Sequence, residues 1–206
     1  MKVTYEIENG NKVRVKTYAD GRVYKYDEKR NLIYYKDSFG SECWDEYDEN
    51  GNHIHHKLIG SEYENWCEHE SWSEYDSNGN MIHHKKSDGN EHWCEYDSNG
   101  NLVHLKANNG LEEWYDSNEN LVHIKDPKGY EHWYEYDSKG NDIHYKNSEG
   151  KEEWREYDSN RNVIHLKDNK GYEEWKEYGA FGFMIHRKDN KGNEWFDKHY
   201  EELKAC

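Results

Sequence analysis

The chain repeats itself about every 21 residues, and that repeat constrains the fold more than any single motif. Each unit reads as an aromatic strand, Tyr-Asp, an Asn/Gly-rich turn, an aliphatic-His-x-Lys strand and a second Gly turn. Tyr-Asp falls at Tyr26-Asp27, Tyr47-Asp48, Tyr75-Asp76, Tyr96-Asp97, Tyr115-Asp116, Tyr136-Asp137 and Tyr157-Asp158, and a degenerate Tyr178-Gly179 closes the series. The step from Tyr47 to Tyr75 is 28 residues and carries an insertion, whereas the step from Tyr96 to Tyr115 is 19. The short unit lacks two residues between Trp114 and Tyr115. An even deletion keeps both rings on their original faces of a pleated strand, which a helix would not allow.

Within one unit, Tyr130-Glu131-His132-Trp133-Tyr134-Glu135-Tyr136 is rich in strand formers, and Asn141-Asp142-Ile143-His144-Tyr145-Lys146 follows it as a second strand. Asp76-Ser77-Asn78-Gly79 has hairpin-turn chemistry, and Asp126-Pro127-Lys128-Gly129 puts the one Pro where a type I turn wants it. Two strands and two short turns fill a unit. The expectation is an all-β, up-and-down antiparallel meander of about sixteen strands.

An odd period flips equivalent side chains from face to face unless one turn is odd and the other even, or a bulge absorbs a residue. If Asn-Gly forms a two-residue turn, Trp and Glu share a face with His and Lys. If it forms a three-residue turn with a bulge, Trp joins the aliphatics. The residues leave both open.

Leu, Ile, Val and Phe number only 28 of 206, a level at which charged chains are often disordered. Against disorder stand 19 Tyr and 9 Trp placed in register, each able to bury roughly 150–250 Å². The expectation is a long, thin sheet, coiled or curled, held by cross-strand aromatic and Glu-Lys pairs. Residues 1–206 read as a single repeat domain: a capping hairpin over 1–23, about eight hairpin repeats over 24–192 with an insertion near 58–72, and a cap over 193–206. The nearly helical spacing of Trp195, Phe196, His199, Tyr200 and Leu203 predicts that this last cap is a short helix.

The stretch Tyr134-Glu135-Tyr136-Asp137-Ser138-Lys139-Gly140-Asn141 resembles the YD repeat of RHS and teneurin-type proteins, over about residues 24–192. The resemblance implies long coiled β-sheets, which that family uses as shells around toxins or as cell-surface modules. Here Asn usually replaces the family's Arg after the turn Gly, and the recurrent Trp and His are additions of this chain.

The net charge of −16 opposes direct nucleic-acid binding, which depends on Lys and Arg, and favours a basic protein partner. Charging all 14 His would nearly cancel it. Cys43, Cys67, Cys94 and Cys206 form no paired-Cys motif, and Met1-Lys2-Val3-Thr4-Tyr5-Glu6 carries no hydrophobic leader. A cytoplasmic protein with free thiols, away from membranes, is expected. A free sheet edge would let two copies pair.

The His ladder, His55, His83, His104, His123, His144, His165 and His186, sits on alternate strands. Its members should be roughly 9–10 Å apart, too far to share one ion, so neither metal nor other cofactor is expected. Half-buried imidazoles packing on rings or pairing with Glu account for it better. Asp76 to Asn80 resembles the start of a calcium loop but lacks its terminal Glu, and turn formation explains it. Repeated carboxylates and His without one differentiated pocket argue against an enzyme, so no catalytic residue is assigned. The insertion breaks the symmetry, and Glu62, Tyr63, Glu64, Trp66, Glu68, His69 and Glu70 are the expected partner-binding residues.

These readings converge on a non-enzymatic interaction protein. The leading expectation is an intracellular inhibitor, of the kind carried by phages and mobile elements and including anti-CRISPR proteins, whose carboxylates occupy the basic surface of a nucleic-acid-binding effector. The alternatives are a YD-repeat scaffold or adhesion module of a toxin or cell-surface system, and a carbohydrate-binding aromatic sheet.

Overall fold

The computed structural model describes residues 1–62 and 65–199, with side chains for all of these except 61, 62 and 65–67. Nineteen strands and no helix are present among the described residues. The chain divides into two compact units, residues 1–109 and 110–206.

The first unit holds β1 (Lys2–Glu8), β2 (Asn11–Thr17), β3 (Val23–Tyr26), β4 (Leu32–Lys36), β5 (Glu42–Tyr47), β6 (His53–Glu62), β7 (Asn65–Tyr75), β8 (Met81–Lys86), β9 (Glu91–Tyr96) and β10 (Leu102–Ala107). The second holds β11 (Glu112–Tyr115), β12 (Leu121–Lys125), β13 (Glu131–Tyr136), β14 (Asp142–Asn147), β15 (Glu152–Tyr157), β16 (Val163–Asp168), β17 (Glu173–Tyr178), β18 (Met184–Asp189) and β19 (Glu194–Phe196). Within each unit every strand pairs antiparallel with the next, so the expected meander is present.

Two expectations are corrected. The strands number nineteen rather than sixteen, because the β1–β2 hairpin and β19 flank the eight repeat hairpins β3–β4 to β17–β18. The C-terminal helical cap is not formed by the described part of 193–206. Asp189 to Asn193 instead makes the same carboxylate-braced turn as the repeats, and β19 pairs with β18. Turn chemistry therefore overrides the helical spacing of the aromatic residues. Phe196, not Trp195, takes the place of the repeat tryptophan and stacks on His186 at 4.4 Å and 14°. Tyr200 and Leu203 lie outside the described residues.

The parity question is answered by a third arrangement. Both turns are three-residue loops closed in the same way. Asp76 N–H donates to the Asn80 carbonyl at 2.9 Å and Gly79 N–H to the Asp76 carbonyl at 3.1 Å, while Lys86 and Gly89 repeat this pattern at 2.8 and 3.0 Å. Gly79 has φ +85°, the left-handed conformation that completes such a turn. Asp76 Oδ1 accepts the N–H groups of Asn78 and Asn80, and its Oδ2 accepts the Asn80 amide. That amide, followed by the backbone donors, holds the Asp76 carboxyl below its usual range.

With two odd turns, the extra residue must be absorbed on a strand. Tyr75 pairs with Met81 but Glu74 pairs with His83, so Ile82 is a bulge, and the same shift recurs in the other repeat hairpins. The register then places Trp72, Glu74, His83 and Lys85 on one face, and Ser73, Tyr75 and His84 on the other.

The conventional core is small: Val13, Val15, Cys94 and Ile185 are the buried apolar residues among those described. The tyrosines of Tyr-Asp supply further tertiary links. Beyond the pairing of His123 with Trp133, the Tyr136 hydroxyl donates to the Leu121 carbonyl at 2.8 Å. Tyr75, Tyr96 and Tyr157 reach the carbonyls of His53, Met81 and Asp142 in the same way. Each clamps its hairpin onto the one before.

Candidate binding face

The face bearing Trp is nearly the same in every hairpin. Across the gap between hairpins of one unit four ladder histidines lie flat on the next tryptophan: His55 on Trp72, His83 on Trp93, His144 on Trp154 and His165 on Trp175, at 5.2–5.4 Å and 6–12°. Two glutamates bracket each imidazole. His144 Nε2 is 2.9 Å from Glu152 and Nδ1 is 3.1 Å from Glu135, and His165 stands likewise between Glu173 and Glu156. Burial pulls the His144 imidazole down, but the two carboxylates together outweigh it and leave its pKa above the ordinary value. The expectation that the ladder packs on rings and pairs with Glu is met.

Departures from the pattern preserve its logic. In β4 the ladder position is Tyr34, whose ring packs tilted against Trp44 at 5.5 Å and 57° and whose hydroxyl donates to Glu42 at 3.0 Å, as the imidazoles reach their glutamates. In the 19-residue unit both rings stay on their faces as expected. Trp114 pairs directly with His123, which is held between Trp114 at 4.3 Å and Trp133 at 5.0 Å.

This face is open to solvent. Trp93 is 40% and Trp154 39% exposed, and the glutamate two residues further on is freer still, 73% for Glu95 and 68% for Glu156. An exposed indole beside an exposed carboxylate therefore recurs hairpin after hairpin, as in Trp72-Glu74 and Trp133-Glu135. A further acidic concavity of about 650 Å³ in the first unit is lined in part by Glu28, Asp45, Glu46, Asp48 and Glu49.

The insertion takes the form of a lengthened β6–β7 hairpin. Tyr63 and Glu64 lie outside the described residues, and Glu62 and Trp66 are placed only as strand positions. Glu68 pairs with Lys57 at 2.5 Å, and Glu70 holds His55 Nε2 at 2.8 Å, the ordinary ladder role. His69 sits on the opposite face, its ring 6.3 Å from that of His56.

On that opposite face the side chains differ from hairpin to hairpin. In β15 the Arg155 guanidinium joins Glu153 and Asp142, whereas in β17 Lys176 pairs with Glu174. In β5 and β6 the same positions bring together Cys43, Asp45, His53 and His56. Asp45 Oδ1 lies 2.8 Å from His56 Nδ1 and 2.7 Å from His53 Nε2, and Cys43 Sγ is 3.3 Å from Asp45 Oδ2 and 3.7 Å from His56 Nδ1. Burial first, and then Asp45, push the Cys43 thiol up to about 12. Burial would raise Asp45, but its donors, His56 foremost, prevail and lower it. Sequence spacing does not reveal this group, because cross-strand register assembles it; the signal was a Cys-x-Asp facing a His-x-x-His in one hairpin alone.

Each unit is a hairpin-repeat sheet with one uniform and one variable face. Neither a protein-family model nor a curated protein matches the sequence. Among solved structures, the crystal structure of TcdB2-TccC3-TEV is similar with a TM-score of 0.51 and 12% identity, over 89% of this chain and 12% of that one. That of TcdB2-TccC3 covers 89% of this chain and 16% of its own at 11% identity, with a TM-score of 0.44. The chain thus spans a small part of the length of the first of these. The likeness is one of fold, and it agrees with the YD-repeat resemblance carried by Tyr134 to Asn141.

Proposed function

We propose that this protein is a non-enzymatic binding protein whose uniform face docks a basic macromolecule, specifically as an intracellular inhibitor that covers the nucleic-acid-binding surface of its target. The observation that carries this reading is the recurrence, within each unit, of half-exposed tryptophans accompanied by an exposed glutamate. Indoles supply large contact area at small entropic cost, and the carboxylates supply charge complementarity to a Lys/Arg-lined groove. The charge of −16 would speed encounter with such a partner and make it salt-sensitive.

The test is retention of the full chain on a nucleic-acid-binding nuclease across a salt series, alongside a Glu95→Gln/Glu135→Gln/Glu156→Gln variant. Binding that weakens with salt and is further weakened in the variant supports the reading. Absence of binding at low salt removes it.

A second reading has its own support. The likeness to part of the much longer TcdB2-TccC3-TEV chain, together with the YD-repeat resemblance, favours a scaffold role in which this repeat is one piece of a larger sheet. Co-purification from the native host separates the two, since a scaffold would return with toxin or cell-surface components rather than an effector.

A further inference from the structure

We propose that Cys43, Asp45 and His56 form a binding site for a zinc-class divalent cation on the variable face of the first unit. Three donor types that suit such an ion converge there: a sulfur, a carboxylate oxygen and an imidazole nitrogen, all within 4.8 Å of one another. The separations fit tetrahedral coordination. Metal-ligand distances of about 2.0–2.3 Å place neighbouring donors of a tetrahedron roughly 3.3–3.8 Å apart. Here Sγ to Nδ1 is 3.7 Å; the carboxylate approaches Sγ through Oδ2 at 3.3 Å and Nδ1 through Oδ1 at 2.8 Å, and a small turn of it presents one oxygen to the ion as the Nδ1 proton gives way.

The scaffold is suited to the task. Cys43 and Asp45 are two apart on β5 and so share a face, and Asp45 pairs directly with His56 on β6. Sites on strands hold ligands more firmly than sites on loops. His53 supplies the outer support: its Nε2, 2.7 Å from Asp45 Oδ1, orients the carboxylate, as second partners of metal ligands commonly do. With three protein ligands the fourth position is open to water or to a group from a partner.

The group also has no counterpart in the repeat logic. No other hairpin places Cys, Asp and His together among the described residues, and the turn, clamp and ladder residues are all elsewhere. Ion uptake removes the Sγ proton of Cys43 to solvent and leaves His56 protonated at Nε2 alone, with Nδ1 donating to the metal. A coordinating thiol is deprotonated by the cation itself.

The site is tested by titrating the full chain with Co²⁺, followed by displacement with Zn²⁺. The expected result is a thiolate-to-cobalt charge-transfer band saturating at one ion per chain and abolished by Zn²⁺. Cys43→Ser should remove the band, His56→Ala should weaken affinity at least tenfold, and Cys94→Ser should leave both unchanged. X-ray absorption of the zinc-loaded wild-type chain should give one sulfur and otherwise nitrogen and oxygen neighbours, a readout independent of whether the variants fold. Absence of the band, its persistence in Cys43→Ser, or a zinc shell without sulfur would overturn the proposal, and none of these bears on the docking role of the uniform face.

Discussion

Removing one hydroxyl at Tyr136 tests whether the tyrosine clamps hold successive hairpins together. Tyr136→Phe keeps the ring and deletes the hydrogen bond to the Leu121 carbonyl. A neutral hydrogen bond contributes about 0.5–1.5 kcal/mol net, and a carbonyl sealed from water would cost more to abandon. Leu121 is half-buried, and the expected loss is near the middle of that range, about 1 kcal/mol. For a chain of this size that corresponds to a fall of roughly 2–4 °C in Tm. In an array of nearest-neighbour contacts the effect should concentrate at the β12–β13 junction. Urea denaturation gives the total, and amide exchange in β12 and β13 gives the location. Tyr130→Phe, at an exposed ring, is the control. An unchanged midpoint for Tyr136→Phe, or an equal fall for Tyr130→Phe, would refute the clamp argument.

Two other expectations follow from the geometry. His144 has a folded pKa raised by Glu135 and Glu152 against the pull of burial, so its stabilisation is fully present below the unfolded value near 6.5 and is lost as pH rises through the folded value. NMR titration should place it above an unstructured histidine, and His144→Gln should flatten that part of the stability profile; a folded value at or below the reference contradicts the assignment. At Gly60 an added Cβ would lie 2.7 Å from Ser41 Cβ, so Gly60→Ala should destabilise by roughly 1–3 kcal/mol, with part of the loss recovered on adding Ser41→Gly. Equal urea midpoints for Gly60→Ala and wild type would show that the strands can part without cost.

Much of the fold was legible because its signals are local. Asp76, Gly79 and Asn80 define a turn wherever they occur, and the two-residue deletion before Tyr115 could be read as strand-compatible without coordinates. Face assignment was not legible. It depends on the bulge at Ile82, which carries no distinctive residue type and shows only in the pairing of Glu74 with His83. The C-terminal cap misled for a related reason: Trp195 and His199 match a helical period, while the Asp189 to Asn193 turn, already known from the repeats, decided the outcome. The Cys43 group was not legible because the repeated histidines dominate the sequence pattern, and residues such as His83, His144 and His165 are taken up by a ring and two carboxylates. The chemistry that differs lay on the face where the repeats disagree.

The backward reach of Tyr75, Tyr96, Tyr136 and Tyr157 gives assembly a direction. A chain emerging from the ribosome presents its earlier hairpins first, and each of these four tyrosines finds its acceptor carbonyl already in place on the segment made before it. Growth can proceed like the laying of courses of brick, each one bedded on the last, with no distant segment to await.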